Sequence, residues 1–227
     1  MIENIIFDVY GTLISTGTGS VDATDIIFRK YGLTESTEDI YKHWKELHKN
    51  HMRHAGEFLT EKAIFVEDLK QLFVEYKINS DAELEVKPML DSLLHRTLFS
   101  DVDTVIKRLL NTYNVAIGST TDNYPLMENI GNTILKKIPQ IFTSESLRVY
   151  KPDKKFYREI LNRTGWKPEE CLFVGDSIEE DILGPKEAGM KTVFINRKGI
   201  TNLEVLSSAD FVITSMEELT TVLEKMK

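Results

Sequence analysis

From Ser100 onward, short apolar runs alternate with stretches of helical period, and this alternation limits the fold more than any other property of the chain. Val115-Ala-Ile-Gly-Ser119, Ile141-Phe-Thr143, Leu172-Phe-Val174, Thr192-Val-Phe-Ile195 and Phe211-Val-Ile213 read as strands. Between and after them, Val102, Val105, Ile106, Leu109 and Leu110 share one helical face. So do Phe156, Tyr157, Ile160 and Leu161, and then Leu219, Val222, Leu223 and Met226. Strands that are apolar throughout belong to parallel sheets covered by helices on both faces. The expected fold is α/β, a doubly wound parallel sheet. Ser100 with Asp103, Ser177 with Glu180 and Ser215 with Glu218 have capping-box spacing, and Pro152 suits the first position of the helix carrying Phe156.

The amino-terminal run Ile5-Ile6-Phe7 has the same character and ends on Asp8, just before a glycine turn. From Val21 to about Arg96 only helical periodicity follows, with Phe65, Leu69, Leu72, Phe73 and Tyr76 on one face. The sequence thus predicts a core of residues 1–15 and 97–227 interrupted by an α-helical unit of residues 16–96. Gly17 and Gly19 do not extend to a dinucleotide fingerprint, because the third glycine position holds Asp22. His43, His48, His51 and His54 lie in the insertion at a nearest spacing of three. That is not the i, i+4 pairing of helical zinc sites, so a solvated or substrate-facing surface is expected.

A formal charge of −8 excludes a general nucleic-acid surface, which needs clustered Lys and Arg, but leaves room for one positive pocket. No apolar run approaches the length of a membrane span and no signal peptide precedes the first strand, so a cytoplasmic protein is expected, as a monomer or homodimer. Cys171 is the only cysteine, which excludes an intrachain disulfide. Beside Leu-Phe-Val it reads as a buried strand residue.

Ligands of doubly wound sheets bind at the carboxyl ends of the strands, and Asp8, Ser119 and Asp176 are all expected there. Asp181 lies about one turn into the helix after Asp176, so both carboxylates can face one pocket. They repel unless a cation relieves them, and oxygen ligands at this density suit Mg²⁺. Lys151 is held just ahead of a helix start.

Taken together, D-V-Y-G-T-L at 8–13, Ser119, Lys151 in Y-K-P-D and G-D-S-I-E-E-D at 175–181 resemble the haloacid dehalogenase superfamily of hydrolases. The order of these elements is the family's order, and the helical insertion resembles its cap over a Rossmann-like core. The resemblance implies that Asp8 is a nucleophile forming a covalent aspartyl intermediate, which water hydrolyses. It implies that Thr12 supports the nucleophile loop, that Ser119 hydrogen-bonds the transferred group and that Lys151 supplies positive charge. Asp8, Asp176, Asp181 and the backbone carbonyl of Tyr10 are the implied Mg²⁺ ligands. Tyr10, Gly11, Thr120, Trp44 and Lys45 are the candidate contacts to a small anionic substrate, with His48 and Arg53 as further cap candidates.

Two branches of the family are mixed in these motifs. Phosphatases usually carry an aspartate two residues after the nucleophile, where this chain has Tyr10, as in 2-haloacid dehalogenases. V-Y-K-P-D, Tyr157 and Ile195-Asn-Arg197 also resemble the dehalogenases. Those enzymes have serine and asparagine in place of Asp176 and Ile178 and work without metal, whereas here the acid pair is intact. Their cap arginine has no clear match, and Lys45 is the nearest substitute. The expected activity is a Mg²⁺-dependent phosphatase acting on a small phosphorylated metabolite. The alternatives are an L-2-haloacid dehalogenase and a low-turnover regulatory or binding member.

Overall fold

The computed structural model describes residues 1–54 and 56–226. Six strands form one parallel sheet in the order β3-β2-β1-β4-β5-β6: β1 is Asn4–Phe7, β2 Asn114–Ser119, β3 Gln140–Thr143, β4 Cys171–Gly175, β5 Lys191–Ile195 and β6 Phe211–Ile213. Central β1 pairs with β2 on one side and β4 on the other, Ile5 lying opposite both Val115 and Leu172. The chain winds outward from β1 first toward β3 and later toward β6. The strand order therefore reverses at β1, and the crevice for a ligand opens where β1, β2 and β4 end.

The apolar runs are buried on both faces, as expected. Ile5, Phe7, Val115, Ile117, Leu172 and Val174 point into one core with Val102, Val105, Ile106, Leu219 and Leu223. Ile6, Ala116 and Phe173 point the other way, onto Phe156, Tyr157 and Ile160. Each such side chain contributes about 1.5–3 kcal/mol through burial, which fixes the register of the strand ends.

Residues 16–96 contain no strand element among the described residues. Helices α1 (Gly19–Phe28), α2 (Thr37–His54) and α3 (Glu61–Glu75) and the short turns Ala82–Glu85 and Lys87–Ser92 pack around Ile27, Phe28, Trp44, Leu69, Leu72 and Met89. Phe28 meets Trp44 and Phe73 edge-on at 6.1 and 6.0 Å, an arrangement favoured by ring quadrupoles. The two crossings between this bundle and the sheet are tied together, Ser15 N donating to Thr97 O at 2.9 Å beside an Ile14–Leu98 bridge.

Local signals were less reliable than periodicity. Ser100 is not a cap: the helix Val102–Leu109 starts from Asp101. Pro152 precedes the N-cap Asp153 of helix Lys154–Thr164 instead of opening it. Ser177 Oγ does accept from Glu180 N at 3.3 Å, but the Glu180 carboxyl turns away to Thr120, so the box is half formed. At Ser215 the side chain caps nothing, while Glu218 accepts from Thr214.

Candidate active site

The strand ends deliver their side chains to one place. Asp8 follows β1, Ser119 ends β2, and Asp176 follows β4. The turn that carries Asp176 continues into a π-helical segment, Ile178–Leu183, whose Asp181 points back beneath it. Asp8, Asp176 and Asp181 each bring a carboxylate oxygen within 4.8 Å of the others. Two glycines allow this approach. Gly11 has φ +91°, and a Cβ there would lie 2.5 Å from Asp176 Oδ2. At Gly175, a Cβ would run into the Asp181 carboxyl.

Lys151 Nζ, fully enclosed, donates to Asp8 Oδ1 at 2.9 Å and to Asp181 Oδ1 at 2.7 Å. Burial alone would discharge it, but the Asp181 and Asp8 charges prevail and hold the ammonium well above its usual range. Burial pushes Asp181 well above the carboxylate range, against the pull of Lys151. Burial, with Asp8 beside it, likewise raises Asp176, while Lys198 Nζ approaches its Oδ2 at 2.7 Å. Three converging carboxylates, two of them disfavoured as anions by burial, form a hard-oxygen donor set that fits a divalent cation.

Ser119 Oγ and Thr12 Oγ1 are both buried without a hydrogen-bond partner. Ser119 is therefore free to bind a transferred group at the end of β2. Thr12 sits in the loop after Asp8, whose carbonyl accepts from Arg197 Nε at 3.0 Å. Arg197 is in turn gripped by both oxygens of Asp101, at 3.1 and 3.0 Å. Arg197 is thus a brace for the loop that follows Asp8.

The remaining candidates separate. The Gly11 backbone lies against Asp176, and Lys45, on an exposed part of α2, is lowered by desolvation and by the nearby Lys49 and Lys198 charges, with Asp176 opposing. Thr120 Oγ1 donates to Glu180 Oε2 at 3.3 Å, a carboxyl that the sequence presents only as a capping partner of Ser177. The Tyr10 phenol accepts from Asn129 Nδ2 at 2.9 Å and lies under the Arg96 guanidinium, 5.0 Å from the ring. Burial pushes it up to about 12, so the phenol keeps its proton near neutral pH.

Trp44 must be corrected. It is only 1% exposed, in the core of the helical bundle, and its Nε1 donates to buried Asp68, so it does not meet a substrate. The histidine cluster is also not a simple surface. His48 and His51 turn their Nδ1 atoms onto Asp68 at 2.5 and 2.6 Å, while His43 pairs with exposed Glu75. The side chain of His54 lies outside the described residues. Arg53 pairs with Glu179 at the mouth of a cleft of about 460 Å³, which Phe58, Arg148, Tyr150 and Lys151 also line.

A family model described as haloacid dehalogenase-like hydrolase matches residues 5–195. The chain belongs to the haloacid dehalogenase-like hydrolases. The hydrolase resembles a glyceraldehyde 3-phosphate phosphatase of Methanopyrus kandleri, 27% identical over 100% of this chain and 99% of that protein. It is 36% identical to the enzyme of the same name from Methanocaldococcus jannaschii over 38% of each chain. In fold it matches L-2-haloacid dehalogenase from Xanthobacter autotrophicus with a TM-score of 0.79, covering 100% of both chains at 19% identity.

Proposed function

We propose that this hydrolase is a Mg²⁺-dependent phosphatase of small phosphorylated metabolites, with a core of residues 1–15 and 97–227 and a cap of residues 16–96. The observation that carries this reading is the convergence of Asp176 and Asp181 on Asp8, with the three oxygens within 4.8 Å of one another. Metal-free displacement of halide has no use for such a cluster, and the two archaeal relatives named above are phosphatases by name.

Asp8, Asp176, Asp181 and the Tyr10 carbonyl would hold Mg²⁺, which supplies charge neutralisation between an anionic nucleophile and an anionic phosphate. Asp8 is the nucleophile. Its carboxylate forms a bond to phosphorus as the bond to the leaving oxygen breaks, and water then hydrolyses the aspartyl phosphate. Lys151 keeps its charge under burial and orients Asp8, while Ser119 Oγ holds a phosphoryl oxygen. Arg53, Arg148 and Lys45 suit the approach of a small anionic substrate, in the cytoplasm.

A second reading, L-2-haloacid dehalogenase, is favoured by Tyr10 at the position where phosphatases place an acid. Both are tested by measuring phosphate release from a panel of phosphomonoesters and halide release from L-2-chloropropionate, for the wild type and Asp8→Asn. Phosphate release abolished in Asp8→Asn supports the phosphatase. Halide release without phosphate release supports the dehalogenase, and tight binding without turnover supports a regulatory member.

A further inference from the structure

Among the described residues, four buried side-chain polar atoms lack a hydrogen-bond partner: Thr12 Oγ1, Ser119 Oγ, Ser144 Oγ and His48 Nε2. Two of these belong to the loops that carry the nucleophile and the phosphoryl-binding hydroxyl. His48 Nε2 is the one contributed by the helical bundle.

Its ring is fixed on every other side. Nδ1 lies 2.5 Å from Asp68 Oδ2, and Phe65 stacks on the ring at 4.2 Å and 25°. Asp68 is fully buried, takes Trp44 Nε1 at 3.1 Å on the same oxygen, and meets His51 Nδ1 with the other. A carboxylate can only accept, so the His48 Nδ1 carries hydrogen and Nε2 is left as the working end. A carboxylate fixing one nitrogen so that the other can exchange a proton is the arrangement general acid–base catalysis requires.

The position of His48 points to its partner. Phe65, on which its ring stacks, lies one turn along α3 from Glu61, whose amide is held by Asp122 in the turn that follows Ser119 and Thr120. His48 therefore stands over the turn at the end of β2. In-line attack by Asp8 places the leaving oxygen on the far side of phosphorus from Asp8. The groups facing His48 are Asp68, Glu61, Asp122 and, beyond Asp68, His51.

Resting on the phosphatase reading, we propose that His48 contacts the substrate's leaving group and is the proton donor that position 10 does not supply, with Asp68 as its positioning residue. As the Asp8 oxygen bonds to phosphorus, the ester P–O bond breaks, its electron pair stays on the leaving oxygen, and that oxygen takes the proton from Nε2. In hydrolysis neutral His48 accepts a proton from the water attacking phosphorus, the Asp8–phosphorus bond breaks, and inorganic phosphate and the carboxylate are released. The substrate class is a phosphate monoester of an alcohol, whose alkoxide must be protonated to leave. Acyl phosphates have no such need.

The test compares glycerol phosphate, as an alkyl ester, with p-nitrophenyl phosphate in the wild type and His48→Asn, which keeps a donor toward Asp68 but removes Nε2. The expected loss of kcat/KM is about 100-fold or more on the alkyl ester and under about tenfold on the aryl ester. The pH–rate limb of His48 should vanish with it, and His48→Gln serves if His48→Asn melts early. Equal losses on both esters, or none, would overturn the proposal while leaving the phosphatase reading intact. A wild type that releases no phosphate from any ester would overturn both.

Discussion

Glu61 and Asp122 exchange hydrogen bonds between the helical bundle and the core. Asp122 takes the amides of Glu61 and Lys62 on its two oxygens at 2.9 Å each, and Glu61 Oε2 receives the Asp122 amide at 3.4 Å. Thr121 Oγ1 adds a bond to the same Glu61 oxygen at 3.0 Å. Asp122 thus caps the first turn of α3 from outside the bundle, and it does so directly beyond the Ser119-Thr120 end of β2. The contact joins the helical bundle to the end of β2.

Replacing Asp122 by alanine removes this cap. A lost N-cap costs about 0.5–2 kcal/mol, and Asp122→Ala should lower the melting temperature accordingly, with Asp122→Asn in between. A melting temperature equal to that of the wild type would show that the bundle does not depend on this contact.

Burial, reinforced by Asp122, raises Glu61 above the usual carboxylate range. The folded state therefore binds this proton at a pH where the unfolded chain, near 4.3, has released it. The sign follows from linkage: stability relative to Glu61→Gln is greatest at low pH and falls as pH rises from about 4.3 through the raised folded value. Melting temperatures of the two proteins at pH 5 and pH 8 should show the wild type losing ground at pH 8. A gap that stays constant or moves the other way would contradict the account.

Tyr10→Phe should leave turnover within about twofold of the wild type, because a phenol kept protonated by burial does not ionise near neutral pH. It loses the bond from Asn129, a cost of about 0.5–1.5 kcal/mol that thermal melting would register. A large fall in kcat at unchanged stability would make Tyr10 chemical after all.

Arg197→Lys is expected to be harmful although charge is kept. Lysine cannot reproduce the fork on Asp101 while also holding the Thr12 carbonyl. A loss of about 1.5–3 kcal/mol, with lower kcat from a loosened Asp8 loop, is expected from denaturant unfolding and steady-state rates. Unchanged values in both would remove Arg197 as a brace.

The sheet and the five residues at its centre were legible because they depend on chain-local facts: an apolar run ends, and the next side chain must stand at the sheet edge. Asp8, Ser119 and Asp176 follow that rule, while Lys151, ahead of a helix start, and Asp181, about one turn into a helical segment, were legible from their motifs. Trp44 was misread although a signal was present. Ile40, Trp44 and Leu47 share an i, i+4, i+7 face, and all three are buried. Asp68 could not be read as the node of the histidine cluster, because its partners lie on another helix at separations of 17 to 24 residues. Glu61 with Asp122, and Arg197 with Thr12, are likewise long-range pairings set by packing, with no local pattern to announce them.

The central claim is that the three carboxylates hold a divalent cation required for phosphoryl transfer. Its most direct test is phosphate release by the wild type and by Asp181→Asn, titrated with Mg²⁺ after chelation, with chloride release from L-2-chloropropionate followed in parallel. The wild type should show saturable activation by Mg²⁺ and loss in chelator, and Asp181→Asn should show little activity at any Mg²⁺ concentration. Phosphate release unaffected by chelator, or chloride release in its place, would contradict it.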